Sequence, residues 1–229
     1  MKLKHKKSIL RFFLILFYIV VVFSFSYLFQ IYEAQTLCSD FEKKPSVDRV
    51  KKSIRLYKSA LLIYREPFVF EQLGILYYHL ENYQNAYISF AQAISFRKNF
   101  PFYEYVKSIF TFSDSQITDW DEKQILMYYI LGEISTKLEN YNQCVDDYTK
   151  MFEVAIQQGK DALERENRGF CYYKLNMYQE AYKDCIEEKE WLDNKISKLP
   201  DNKLKEAYVN RVHKIDNLLS EISKVQGNN

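Results

Sequence analysis

Leu80-Glu81-Asn82-Tyr83 returns letter for letter as Leu138-Glu139-Asn140-Tyr141, and a looser copy reads Leu175-Asn176-Met177-Tyr178. Each begins six residues after a glycine, at Gly74, Gly132 and Gly169. Aligned on those glycines, the copies keep their size class slot by slot. Three residues on stand Tyr77, Ser135 and Tyr172; nine on, Tyr83, Tyr141 and Tyr178; twelve on, Ala86, Cys144 and Ala181; sixteen on, Phe90, Tyr148 and Cys185. Small residues at the glycine and twelve places later let two antiparallel helices approach closely, and the larger slots fill the space between them. The repeating unit is a helix hairpin. Hairpins stacked in series form a binding surface more readily than a reaction centre.

The order of large residue, glycine, tyrosine, tyrosine, alanine and aromatic resembles the tetratricopeptide repeat (TPR), with its period of about 34 residues. The first copy, 67–98, has Phe70, Leu73, Gly74, Tyr77, Tyr83, Ala86, Phe90 and Ala93 in the family's slots. The second, 125–158, departs at Ser135, Cys144 and Met151, and the third, 162–195, at Arg168 and Glu188. The resemblance implies an all-α, TPR-like helical-hairpin solenoid. Upstream, Ser53, Ile54, Tyr57, Ala60 and Leu61 read like the second helix of a further copy, but Pro45 interrupts where its first helix should lie. A leading helix is therefore expected over 46–65, opened by Ser46 as a cap.

From Gly74 to Gly132 is 58 residues, well over one period, so an insert is expected over 99–124. It has an apolar helical stretch over 102–110, and Thr118 with Asp121 resembles a capping box. At the far end Leu204, Tyr208, Val212, Ile215, Leu219, Ile222 and Val225 recur at helical spacing. They predict a C-terminal capping helix over 200–226, covering the apolar face of the last repeat. Residues 227–229 are a tail.

Residues 12–32 are 21 consecutive positions without a formal charge. As a helix they reach about 30 Å, the thickness of a hydrocarbon core. Lys2, Lys4, Lys6, Lys7 and Arg11 precede them, and Glu33 is the first acidic residue. The positive-inside bias predicts a basic cytoplasmic tail over 1–11, one transmembrane anchor over 12–32, a linker over 33–45 and an extracytoplasmic TPR-like domain over 46–226. Secretion after cleavage near Ser24-Phe25-Ser26 is one alternative. Cytosolic repeats on an organelle membrane, as in anchored import receptors, are another.

Setting aside the five amino-terminal bases leaves 27 of the 32 Lys plus Arg against 30 Asp plus Glu. That near-neutral body argues against a nucleic-acid partner. Its 197 residues suit one domain. No cofactor or metal is expected: there is no Cys-x-x-Cys, and His5, His79 and His213 are far apart. Nor is an enzyme expected, since Gly-x-Ser-x-Gly, the phosphate-binding Gly-x-x-x-x-Gly-Lys and paired-histidine metal helices are missing. Cys144, Cys171 and Cys185 read as small buried thiols, and in an oxidising compartment a Cys171–Cys185 pair within the third hairpin stays open.

In the resembled family the first helix of each pair lines a concave groove. That implies groove positions at Phe68, Glu71, Ile75, Tyr78 and His79 from the first copy. The second copy contributes Leu126, Tyr129, Glu133, Thr136 and Lys137, and the third Leu163, Glu166, Asn167, Phe170, Tyr173 and Lys174. Aromatic rings beside a few charges suit a protein or peptide segment. The expected function is thus a membrane-anchored adaptor that assists assembly, translocation or quality control, with the lipid bilayer contacted through 12–32. A homo-oligomer joined through the terminal helix and insert is a second class. The third copy also resembles the middle repeat of chaperone-binding cofactors, where the slot of Asn167 helps hold a terminal carboxylate. Tyr129 and Glu133 depart from that clamp, and Lys205 and Arg211 imitate the following repeat only in a shifted register.

Overall fold

The computed structural model describes residues 2–38, 46–99, 119–161, 163–200 and 203–227. The expectations for 39–45, for the apolar stretch 102–110 and for Thr118 lie outside the described residues. Among the described residues every regular element is helical, and the chain divides into two compact units, Met1–Phe100 and Pro101–Asn229. A single body over 46–226 was expected from length; the division falls inside the over-long interval between the first two glycines.

The first unit holds α1 (Lys2–Cys38), α2 (Val47–Ile63), α3 (Pro67–His79) and α4 (Tyr83–Asn99). The second holds α5 (Asp119–Lys137), α6 (Tyr141–Gln157), α7 (Arg165–Lys174), α8 (Tyr178–Ile196) and α9 (Lys203–Gly227). The three expected repeats are the hairpins α3–α4, α5–α6 and α7–α8. Their pairing rests on the glycines. A Cβ built on Gly74 would lie 2.8 Å from the Phe90 ring, and one on Gly132 would lie 2.7 Å from the Tyr148 ring. On Gly169 it would meet the Cys185 sulfur at 3.1 Å and the Ala181 carbonyl at 3.3 Å. The slot twelve residues on is fully buried each time, as Ala86, Cys144 and Ala181.

The recurring four-residue phrase is the turn between paired helices. Its second residue sits in the left-handed region, Glu81 and Glu139 at φ 55° and Asn176 at φ 60°. The backbone N–H groups of Asn82, Asn140 and Met177 close the turn on the carbonyls of Tyr77, Ser135 and Tyr172, each at 2.9 Å. The Asn82 and Asn140 side chains then accept from the N–H groups of Asn85 (3.3 Å) and Gln143 (3.4 Å), capping the second helix. In the third copy asparagine has moved to the left-handed position, and Met177 has no side-chain acceptor to offer.

The leading helix does not stand alone. Ser46 caps α2 by accepting from Arg49 N–H at 3.4 Å, and α2 packs on the carboxy-terminal part of α1. Ala34 is fully buried, and Ser53 donates to its carbonyl at 3.1 Å. Lys52 pairs with Glu33 at 2.7 Å, and the Tyr27 hydroxyl donates to Glu66 just beyond α2. The expected linker is helical through Cys38. The missing first helix of the leading hairpin lies upstream of Pro45, as the continuation of the apolar amino-terminal helix.

At the other end α9 lies on α8 through Tyr208, Val212, Ile215 and Leu219, which pack with Cys185, Trp191 and Leu192. This is the expected capping helix, one apolar face down.

The glycine contacts predict a graded response. Gly132→Ala should cost about 2 to 3 kcal/mol, because its methyl has no path past the Tyr148 ring, whereas Gly169→Ala should cost roughly half as much, because its methyl meets the Cys185 sulfur and the Ala181 carbonyl at the longer distances of 3.1 and 3.3 Å. Urea unfolding of the two variants measures this, and equal losses would refute the packing account.

Candidate functional site

In the second unit α5, α6 and the segment leading into α7 leave an open cleft of about 620 Å³. Ile125, Leu126, Met151, Ala155 and Leu163 give it an apolar lining, and Tyr129 and Glu164 stand at its polar side. Leu126 is 55% exposed there. Lys160 and Glu122 pair at 2.8 Å on the rim. The cleft exists because α7 starts late: Glu164, at φ 68°, turns the chain just before the helix, so Leu163 precedes α7 instead of riding on it. The Tyr129 ring meets the Tyr148 ring edge to face at 6.1 Å, and its hydroxyl donates to Glu133 at 3.2 Å. Burial, then the charges of Glu164 and Glu133, hold this phenol above the usual tyrosine range. Burial likewise raises the Glu164 carboxyl, with Arg211 acting against it.

The expected groove residues are distributed differently from the simple groove picture. Phe68, Glu71, Ile75, Tyr78 and His79 belong to the first unit. Glu71 does not face a groove: it is buried and pairs with Arg97 at 2.7 Å. It lies three residues before Gly74, on the face that meets α4, so helix periodicity turns it inward. Phe68, Ile75 and Tyr78 are half-buried and His79 is exposed, with the Tyr78 ring 5.7 Å from that of Tyr83.

In the second unit Leu126 and Tyr129 reach the cleft. Glu133 and Thr136 follow on α5: Thr136 donates to the Gly132 carbonyl, and Lys137 is exposed at the helix end. Phe170 packs on the α6 core and meets Tyr141 edge to face at 6.4 Å. Lys174 lies over Phe170 and Tyr173, 5.2 and 5.9 Å from the ring centres. Tyr173 is paired with Tyr178, and the carboxylate of Glu221 raises its phenol after desolvation.

Glu166 is taken by α9. Arg211 reaches it at 2.7 and 2.9 Å and also bonds Glu188 at 2.7 Å. Glu188 accepts from the Arg165 backbone N–H as well, at 3.2 Å, and its side chain is 1% exposed. Burial, then Glu166, raise its carboxyl despite these donors. The acidic residue in a slot expected to be small therefore serves as the receiver of the capping helix. Asn167 donates to Glu164 at 3.3 Å, so Asn167, like Arg211, is engaged within the chain.

Cys144 and Cys171 form a disulfide that ties α6 to α7, with 6.3 Å between their Cα atoms. The pairing left open within the third hairpin was Cys171 with Cys185. Gly169 faces Cys185, and Cys171, two residues along, is turned to the opposite side of α7 toward α6. Burial pushes the free Cys185 thiol up to about 12, so it rests as the neutral thiol. Arg168, the other departure of the third copy, grips Asp184 at 2.7 and 2.8 Å and lies over the Phe152 ring. Among the described residues no group of three or more His, Cys, Asp or Glu side chains is arranged to hold a metal ion.

No family model and no curated protein matches the sequence. Among solved structures, the chain is similar to the crystal structure of the apo form of RapI, with a TM-score of 0.58 and 14% identity. The match covers 88% of this chain and 64% of that one. At that identity the likeness speaks for the fold alone, and it agrees with the class that the hairpins define: an all-α, TPR-like helical-repeat protein.

Two predictions concern the joints of the second unit. Opening the Cys144–Cys171 bond frees a loop of 27 residues and should lower stability by about 3 kcal/mol. Unfolding with and without reductant reads this, and Cys171→Ala should match the reduced value. Arg211→Met strands Glu166 and Glu188 and should cost about 3 kcal/mol at neutral pH. The folded-state pKa of Glu188 lies above its unfolded value, so the folded chain binds the extra proton and stability falls as pH rises through that interval. The Arg211→Met deficit should therefore shrink on going from pH 7 toward pH 5, and a deficit that grew would contradict the assignment.

Proposed function

We propose that this chain is a membrane-tethered helical-repeat scaffold whose second unit binds a segment of a partner protein through the cleft at Leu126 and Tyr129. The carrying observation is that cleft: open, apolar on its floor and bordered by Tyr129 and Glu164. Such a surface takes an apolar side chain of an extended or helical segment, while the border groups orient the polar backbone. Binding is the reading we adopt. The role is that of a holder during assembly, translocation or quality control.

The tether is α1, whose stretch Phe13–Leu37 is long and apolar enough to cross a membrane by length and composition. The five basic residues before it support a cytoplasmic amino terminus. A disulfide persists in oxidising compartments, so Cys144–Cys171 supports placing the repeats on the far side of the membrane.

A photo-crosslinking amino acid at position 126 of the full chain, in its own membranes, tests the cleft. The expected result is one discrete protein adduct that disappears on Tyr129→Ala with helicity retained, and no such adduct from the exposed position 182 on α8. The same adduct from position 182, or one indifferent to Tyr129→Ala, would overturn the cleft assignment. An adduct of two copies of this chain would replace it with a structural oligomer.

A further inference from the structure

The apolar helix α1 is also half of the α1–α2 hairpin, so its candidate span and its packed face overlap. Of the candidate span Phe13–Leu37, the carboxy-terminal part is packed against α2: Tyr27 and Ala34 are buried there and Glu33 is ion-paired. The outer surface of α2 carries Lys51, Lys52, Arg55 and Lys58, all exposed. Those charges cannot enter hydrocarbon, so the bilayer cannot extend along α1 as far as Leu37.

Polarity then switches abruptly along α2. After Lys58 and Ser59 come Leu61, Leu62, Ile63 and Tyr64, with Leu62 89% exposed and Tyr64 51% exposed. Because α2 runs antiparallel to α1, this end lies beside the uninterrupted apolar part of α1. Ile19, Val20, Phe23 and Leu28 of α1 and Ile63 and Tyr64 line a cleft of about 470 Å³ between them. The Tyr27 and Tyr64 rings meet edge to face at 5.7 Å at its upper edge, where interfacial tyrosines sit, and exposed Arg65 follows.

We propose that residues 61–65, the end of the α1–α2 hairpin, are seated in the adjoining lipid leaflet, with a phospholipid acyl chain in the α1–α2 cleft and the bilayer surface level with Tyr27 and Tyr64. The distances along α1 agree. Ten residues below Tyr27, about 15 Å at helical rise, lies Phe17 at the midplane. Twenty residues below, about 30 Å, lies Lys7, the last of four lysines. The span is thus about 7–27 instead of 12–32, with position 11 one turn inside its end, a depth from which arginines in general snorkel to headgroups. On the near side Phe29 and Tyr32, both exposed, fall within about 8 Å of Tyr27 along the helix, in the headgroup layer. Arg65 is placed to meet lipid phosphate. The α1–α2 hairpin is then held at a set height above the bilayer by a continuous helix, with no loose tether between.

This seating rests on the tether reading, and one experiment separates the two. Leu62→Trp and Phe17→Trp are made in the full chain, reconstituted in phosphatidylcholine–phosphatidylglycerol vesicles with bromines at shallow or deep acyl positions. The unsubstituted chain, with Trp120 and Trp191, supplies the background. The added fluorescence of Leu62→Trp should be quenched at least twofold more by shallow than by deep bromines, and that of Phe17→Trp the reverse. Quenching of Phe17→Trp alone would leave the tether standing and sink the seating. Quenching of neither would sink both. A blue-shifted but bromine-insensitive signal from Leu62→Trp would mean that protein, not lipid, covers the hairpin end, and would also overturn the proposal.

Discussion

One contact recurs in each repeat and carries the rest: a glycine on the first helix pressed against the side chain sixteen residues later on the second. Gly74 takes Phe90, Gly132 takes Tyr148 and Gly169 takes Cys185. The absence of a Cβ lets a ring lie directly on the partner backbone, which sets the spacing of the hairpin and aims its remaining faces. The turn phrase completes the constraint, since its left-handed residue and its asparagine cap satisfy backbone groups that the helix ends would otherwise strand. With spacing and turn both set, every other slot in the repeat acquires a direction.

The departures from the repeat are where the hairpins acquire separate jobs. Glu188 stands in a slot that packing would fill with a small residue, and there it receives Arg211 from the capping helix. Cys144, in the small slot of its own copy, crosses to Cys171 and ties the second hairpin to the third. Arg168, beside Gly169, grips Asp184 and stacks on Phe152. Buried charged groups such as these tolerate only partners that match, so they specify which neighbour docks where more than they add net stability. The same economy appears at the amino terminus, where one helix carries the long apolar stretch and also completes the leading α1–α2 hairpin.

For the cleft of the second unit, slot position was a partial guide. Leu126 and Tyr129 were legible from the alignment, and both reach the cleft. Glu71 and Glu166 occupy the slot three residues before the glycine, which turns toward a neighbouring helix; the first meets Arg97 and the second Arg211. Whether a polar residue in that slot serves a groove or an internal pair depends on which basic side chain arrives from 26 or 45 residues away. No local spacing encodes that. Met151 and Ala155 join the cleft because the chain turns at Glu164 before α7 begins, a late start invisible in the hydrophobic pattern.

The all-helical class, the three hairpins, their turns and caps, the closing helix and the apolar amino-terminal segment are legible in the order of residues alone. All of these are local or strictly periodic, and a chain reports its own period. Only packing in three dimensions shows that the apolar helix continues past its uncharged run to complete the leading hairpin, that Cys171 turns to Cys144 and not to Cys185, and that Arg211 occupies Glu166 and Glu188. Each of those is a meeting of side chains far apart in sequence, chosen by the angle at which one helix lies on the next, and a single strand of letters carries no record of that angle.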